Sequence, residues 1–94
     1  MSLLFEWSRS KARGNAKKHG VSFDEACTAF SDVMSLTIPD PLHSEDEDRF
    51  ALLGCSCRNR LLVVVHTHRG DRIRIISARP ATKRERRQYE ETTE

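Results

Sequence analysis

Apolar positions are densest along LLVVVHTHRGDRIRIISARP, Leu61–Pro80, continuous over Leu61–Val65 and alternating with arginine over Arg72–Ile75. A period of two with valine and isoleucine at its apolar positions predicts two β-strands, joined by a turn at Arg69-Gly70-Asp71. Shorter strands are expected in LLFEW, in SLTIPD up to Pro39 and Pro41, and in RFALLG up to Gly54, with a turn in CSCRNR. Within LLFEW, Leu4 and Glu6 fall on one side and Leu3, Phe5 and Trp7 on the other.

Elsewhere the period lengthens to that of a helix. Ser8 can cap a helix over Arg9–His19 that Gly20 ends. Its narrow small-residue face is Ala12, Ala16 and His19, and Gly14 weakens it. In VSFDEACTAF, Ser22 and Glu25 form a capping-box pair and Val21 can staple onto Ala26. Phe23, Ala26, Cys27 and Phe30 then share one face. Thr82 and Glu85 make a second capping box, opening a helix to about Glu91, with residues 92–94 as a frayed tail.

The order is β-α-α-β-β-β-β-α in a single domain over residues 1–94. Consecutive strands with short turns imply an antiparallel sheet, and the helices must cover one of its faces. The expected class is α+β, in two layers.

Composition narrows the function. Hydrophobic residues make up 37% and charged residues 32%, a polar but foldable chain. No apolar run is long enough to span a bilayer, so no membrane partner is expected. The three cysteines, Cys27, Cys55 and Cys57, do not read as a disulfide framework, and a cytoplasmic setting is the simplest. Cys27 on its helical face reads as a small buried hydrophobe.

The net charge of +2 conceals segregation. Residues 40–49 hold five acids and one arginine, whereas residues 58–87 hold ten basic side chains against Asp71 and Glu85. Clustered cations make a polyanion, nucleic acid first, the candidate partner; a solvated basic surface is the alternative. The hairpin is where cations and strands coincide. A three-residue turn would set His66 and His68 on one face with Arg72 and Arg74, and Arg79 opposite. A two- or four-residue turn would instead set Arg79 with the histidines. Buried unpaired arginine is costly, so these side chains either pair with acids such as Glu6 or line a groove suited to phosphate. His66–His68 and Cys55–Cys57 could chelate a metal, but C-x-C is not finger spacing, and no metal or other cofactor is expected.

The segments FEW…KA…N…KHGVSFDEA…F, LTIPDPLHSEDEDRFALLG and LLVVVHTHRGDRIRIISARPATKRERRQYEE together resemble the BrnT family of bacterial toxins, from about Leu4 to Glu91. The resemblance implies a fold similar to RelE ribonuclease toxins, and a toxin of a type II toxin–antitoxin pair that cleaves RNA and arrests growth. It implies neutralisation by a BrnA-like antitoxin in a 2:2 complex that represses its own operon, touching operator DNA through the antitoxin.

A ribonuclease of that kind would use the RNA 2′-hydroxyl as nucleophile and need no metal. Arg74 and Arg79, in the RIISAR motif, are then expected to stabilise the phosphate, with His66 as acid or base. Its partner stays open among Glu47, Lys18, His19 and Tyr89. Lys18, His19, Arg49, His68, Arg72, Lys83, Arg84, Arg87 and Tyr89 are the expected RNA contacts. His66 could instead be a packed strand histidine, and His19 a charge at a helix C-terminus. Tyr89, with Ala81 and Glu85, reads as an anchor of the last helix. The rival class is a non-catalytic module that binds RNA or antitoxin.

Overall fold

A computed structural model describes residues 3–40 and 48–93. The expected order of elements is present: β1 (Leu4–Glu6), α1 (Arg9–His19), α2 (Phe23–Thr28), β2 (Leu36–Pro39), β3 (Arg49–Cys55), β4 (Leu61–Arg69), β5 (Arg72–Pro80) and α3 (Lys83–Thr93). A 3-10 turn, Ala29–Ser31, extends α2. The last helix runs through Thr93, two residues beyond the expected Glu91, and the Thr92 hydroxyl donates to the Gln88 carbonyl at 2.9 Å.

The caps form largely as the sequence suggests. Ser8 accepts from the Lys11 amide, and Gly20 closes α1 at φ 69°. Ser22 accepts from the Glu25 amide at 3.0 Å. The Glu25 carboxylate, however, does not complete a capping box. It turns inward to Ser56 Oγ at 2.7 Å and to the Arg60 guanidinium, whose Nε lies at 2.9 Å. The Arg60 hydrogen bond holds its carboxyl below the usual range despite burial.

The strands form one sheet in the order β1-β5-β4-β3-β2. Strands β2 to β5 are the expected antiparallel meander. Strand β1 departs from it and pairs in parallel with β5, Leu4 opposite Arg72 and Glu6 opposite Arg74. No short turn links these two strands, so nothing forces them antiparallel.

Side-chain alternation divides the sheet. On one face Leu52, Leu62, Val64, Ile73, Ile75 and Ala78 pack with Val21, Phe23, Ala26 and Ala29 of the α2 region. Phe23, Leu62, Ile75, Val21 and Val64 are fully buried, each contributing about 1.5–3 kcal/mol. At Gly54 a β-carbon would stand 2.8 Å from the Ala29 carbonyl oxygen, so the 3-10 turn lies directly on β3. Asn15 is buried beneath α1, its amide donating to the carbonyls of Val21 (2.9 Å) and Ala78 (2.8 Å) and accepting from the Ala78 amide (3.0 Å). The buried line of α1 thus includes Asn15, while Ala16 is exposed.

The other face carries a smaller cluster, Leu53, Leu61 and Val63, with Leu36, Ala51, Ala81 and Tyr89 against it. Here the α+β arrangement differs in one particular: α3 lies on this face, opposite α1 and α2. These odd-numbered positions are apolar too, and Ala81 and Tyr89 shield them from water.

The hairpin resolves its register by an unforeseen device. Gly70, at φ 60°, and Asp71 form a two-residue turn, with Arg69 opposite Arg72 and His66 opposite Ile75. Val65 then pairs with Ser77, leaving Ile76 unpaired in a β-bulge. Ile73, Ile75 and Ala78 therefore face the helical layer with His66 and His68, whereas Arg72, Arg74 and Arg79 all face the other way. Neither arrangement anticipated from turn length alone occurs.

Candidate active site

Register places a row of side chains across four strands on the face opposite α1 and α2: Glu6 of β1, Arg74 of β5, Thr67 of β4 and Arg49 of β3, each opposite the next. Neighbouring strands lie about 4.8 Å apart, so Arg74 and Arg49 stand about 10 Å apart at their α-carbons. Arg72 and Arg69 form the adjacent row toward the turn. Glu6 Oε2 accepts from Arg74 Nη1 at 3.0 Å and lies 3.8 Å from Arg69 Nη1. The Arg74 and Glu6 side chains are 26% and 28% exposed, so both are half-buried but reachable from solvent. The Thr67 hydroxyl donates to the Asp48 carbonyl at 2.6 Å, which ties the row to the start of β3. No described helix covers this end.

Arg79 lies at the other end of that face, opposite Val63. Five residues of strand separate it from Arg74, roughly 15 Å. Both its Nη1 and Nη2 donate to Glu85 at 2.8 Å. The pairing lowers the Glu85 carboxyl to about 2 and raises the guanidinium. Glu85 Oε1 also accepts from the Thr82 amide at 2.9 Å, and its own amide donates to Thr82 Oγ1 at 3.2 Å, the expected capping box. Arg79 is thus the bolt of α3 rather than a neighbour of Arg74. Tyr89 anchors the same helix, its hydroxyl donating to Asp32 Oδ2 at 2.6 Å. That bond raises the phenol to about 12.

His66 does not join the arginines. It is 2% exposed, on the helical face. Its ring packs edge-on against Phe30 at 4.8 Å and beside Phe50 at 6.0 Å, and Nδ1 lies 3.1 Å from the Val64 carbonyl oxygen. Burial pushes its pKa down and keeps it neutral. His68 stands beside it, 5.8 Å between ring centres, exposed near the turn end of β4. Lys18 and His19 end α1 in the helical layer. Lys83, Arg84 and Arg87 are exposed on α3. Glu47 lies outside the described residues. Of the residues singled out from sequence, the structure brings together Arg49, Arg72 and Arg74. It adds Arg69, Thr67 and Glu6, the last of which the sequence offered as an acid that could pair with these arginines.

The cysteines hold no site with the histidines. Cys55 pairs with Leu61 and His66 with Phe50, at opposite ends of the β3–β4 ladder. Among the described residues, no three His, Cys, Asp or Glu side chains converge. Cys27, raised to about 11 by burial, is held as a neutral thiol.

Residues 7–85 match the family model described as the ribonuclease toxin, BrnT, of type II toxin–antitoxin systems. The chain belongs to the BrnT family. Membership makes it a ribonuclease toxin of a type II pair, with an antitoxin as partner. The fold is similar to the 1.1 Å crystal structure of the Brucella abortus ribonuclease toxin BrnT, at a TM-score of 0.69 and 21% identity. That likeness covers 87% of this chain and 100% of the Brucella one. No curated protein matches. As in the BrnT fold, the sheet and its helices form a mixed α+β domain, which the resemblance had implied. No described helix is long and apolar enough to cross a membrane.

Proposed function

We propose that the chain is a metal-independent endoribonuclease whose centre is the cationic end of the sheet. The observation that carries this is the cross-strand row containing Arg74 and Arg49, with Arg69 and Arg72 beside it, on a face no described helix covers there. A rigid sheet holds guanidinium forks where they meet phosphate oxygens without reorganising, and so stabilises the charge of the five-coordinate phosphorus. The 2′-hydroxyl of the RNA attacks the adjacent phosphorus, the 5′-oxygen leaves, and the product ends in a 2′,3′-cyclic phosphate or its opened form. Lys83, Arg84 and Arg87 extend the same face and lengthen the track for the RNA backbone.

In the cell the chain works in the cytoplasm. A BrnA-like antitoxin neutralises it in a 2:2 complex that binds operator DNA through the antitoxin and represses the operon. One observation favours the rival, a binding-only module: Arg74 and Arg79 each already hold a carboxylate. A single experiment separates the readings. Purified protein is incubated with a labelled transcript in excess EDTA, beside the same transcript carrying 2′-deoxy residues. Cleavage of the first and survival of the second, with cyclic-phosphate ends, is the expected result. Salt-sensitive binding of both RNAs without scission would establish the module instead.

A further inference from the structure

We propose that Glu6 is the general base of the nuclease centre, an inference that rests on the ribonuclease reading above. The five strands contain one acidic residue, and it is Glu6. A charged residue in an otherwise apolar three-residue edge strand, Leu-Phe-Glu, is not needed to build the sheet. It is placed in register with Arg74, at the one end of the face where guanidinium groups gather.

Its surroundings fit the task. Arg74 reaches it from β5 and Arg69 from β4, with Arg72 in the adjacent row and Arg49 at the β3 end of its own row. The nearest contact, Arg74 Nη1 at 3.0 Å, engages Oε2. The other carboxylates with well-defined roles are spoken for. Glu25 is clamped by Arg60 and Ser56 in the helical layer. Asp32 holds Tyr89 and the Cys55 amide, and Glu85 holds Arg79. His66, the alternative base suggested by the sequence, is turned to the opposite face and 2% exposed.

The ion pair of the resting protein is the state that RNA exchanges. An incoming phosphodiester takes the Arg74 and Arg69 donors, and the Glu6 carboxylate is left within reach of the ribose. Glu6 accepts the proton of the 2′-hydroxyl as O2′ bonds to phosphorus. The bond from phosphorus to O5′ breaks, and the 5′-oxygen takes a proton from solvent water. Glu6 then returns its proton to solvent, so the net change moves the phosphorus bond from O5′ to O2′. Guanidinium groups cannot take the base's part, since they stay protonated at any working pH.

The test uses the full chain, a labelled mixed-sequence transcript and single-turnover conditions, with melting curves to establish folding. Glu6→Gln keeps the shape and removes the basic oxygen; Glu6→Asp keeps the charge but withdraws it by about 1.5 Å, one carbon–carbon bond. General-base catalysis contributes about 10²–10⁴-fold. Glu6→Gln is expected to cleave at least about 100-fold more slowly, and Glu6→Asp at least about tenfold, with RNA affinity within about threefold of the parent. The parent's rate should rise with pH on its acid side, and that limb should vanish in Glu6→Gln. A folded variant of either kind cleaving within about threefold of the parent overturns the proposal. So does a rate loss matched by an equal loss of RNA affinity, which would make Glu6 a holder of the arginines. If Glu6→Gln fails to fold, Glu6→Asp and the parent's acid limb decide, and the absence of that limb overturns it. A parent that binds RNA but never cleaves would sink the ribonuclease reading itself, a distinct outcome.

Discussion

At one end of the sheet face opposite α1 and α2, Leu36, Leu53, Leu61 and Val63 lie beneath α3; at the other, Arg49, Arg69, Arg72 and Arg74 share the face with Glu6. Strands β3, β4 and β5 run through both ends, and β5 supplies Arg79 to the first and Arg72 and Arg74 to the second. At the apolar end a guanidinium meets a helix-capping carboxylate through two hydrogen bonds of 2.8 Å, and the pair closes the structure. At the charged end a single bond of 3.0 Å joins Arg74 to Glu6, with Arg69 at 3.8 Å from the same oxygen. An arginine saturated by one geometrically matched acid is finished as a building element. One that shares an acid with its neighbours retains donors for a ligand.

The contrast breaks most readily by truncating each arginine in turn. Arg74→Ala is expected to slow RNA cleavage by about 10²–10³-fold. Its thermal stability should change little, because partly exposed ion pairs contribute about 1 kcal/mol or less. Arg79→Ala should reverse the pattern, with cleavage within about threefold and a loss of about 1 kcal/mol in urea unfolding. Equal losses of cleavage in both would restore Arg79 to the catalytic centre and dissolve the distinction between the ends.

A smaller effect than that of Arg74→Ala is expected from Tyr89→Phe. It removes the hydrogen bond to Asp32 but leaves the ring among Leu53, Leu61 and Val63. Equilibrium unfolding should show a loss of about 1.5–3 kcal/mol, as for other bonds to charged groups. RNA affinity at the far end should not follow. If it does, α3 and the cationic end are coupled.

The smallest effect is acid sensitivity. Glu85 titrates at about 2 when folded, against an ordinary 4.5. The unfolded chain therefore binds more protons between these values, and the clamp's stabilisation, complete above 4.5, declines as pH falls toward 2. Melting curves from pH 6 to pH 2 should decline more gently in Glu85→Gln than in the parent. The difference should be modest, since the Arg79 side chain is 40% exposed and solvent screens the pair.

Much of this was legible in the sequence, and the failures have specific causes. Element order followed from period, proline, glycine and capping residues, all local signals. Arg72 and Arg74 were singled out because cations stood in strands. Their face follows from the two-residue turn, whereas that of Arg79 depended on the unpaired Ile76, which β5's own alternation does not reveal. Asn15 received no structural role from the sequence and Glu25 only that of a cap, yet both are buried hubs with partners distant in the chain. Asn15 beside Gly14 in a helix was the available signal, since neither favours that conformation. His66 looked reactive because it titrates near neutrality, but its neighbours Phe30 and Phe50 make it a core residue.

Ile76 also sets a limit on how this chain can vary. Deleting that single residue would restore unbroken alternation along β5 and exchange the faces of everything after it. Arg79 would swing into the apolar layer, Ala78 would leave the Asn15 amide, and Glu85 would lose the cation that fixes the start of α3. Side chains around the bulge can be traded, but the length of β5 cannot.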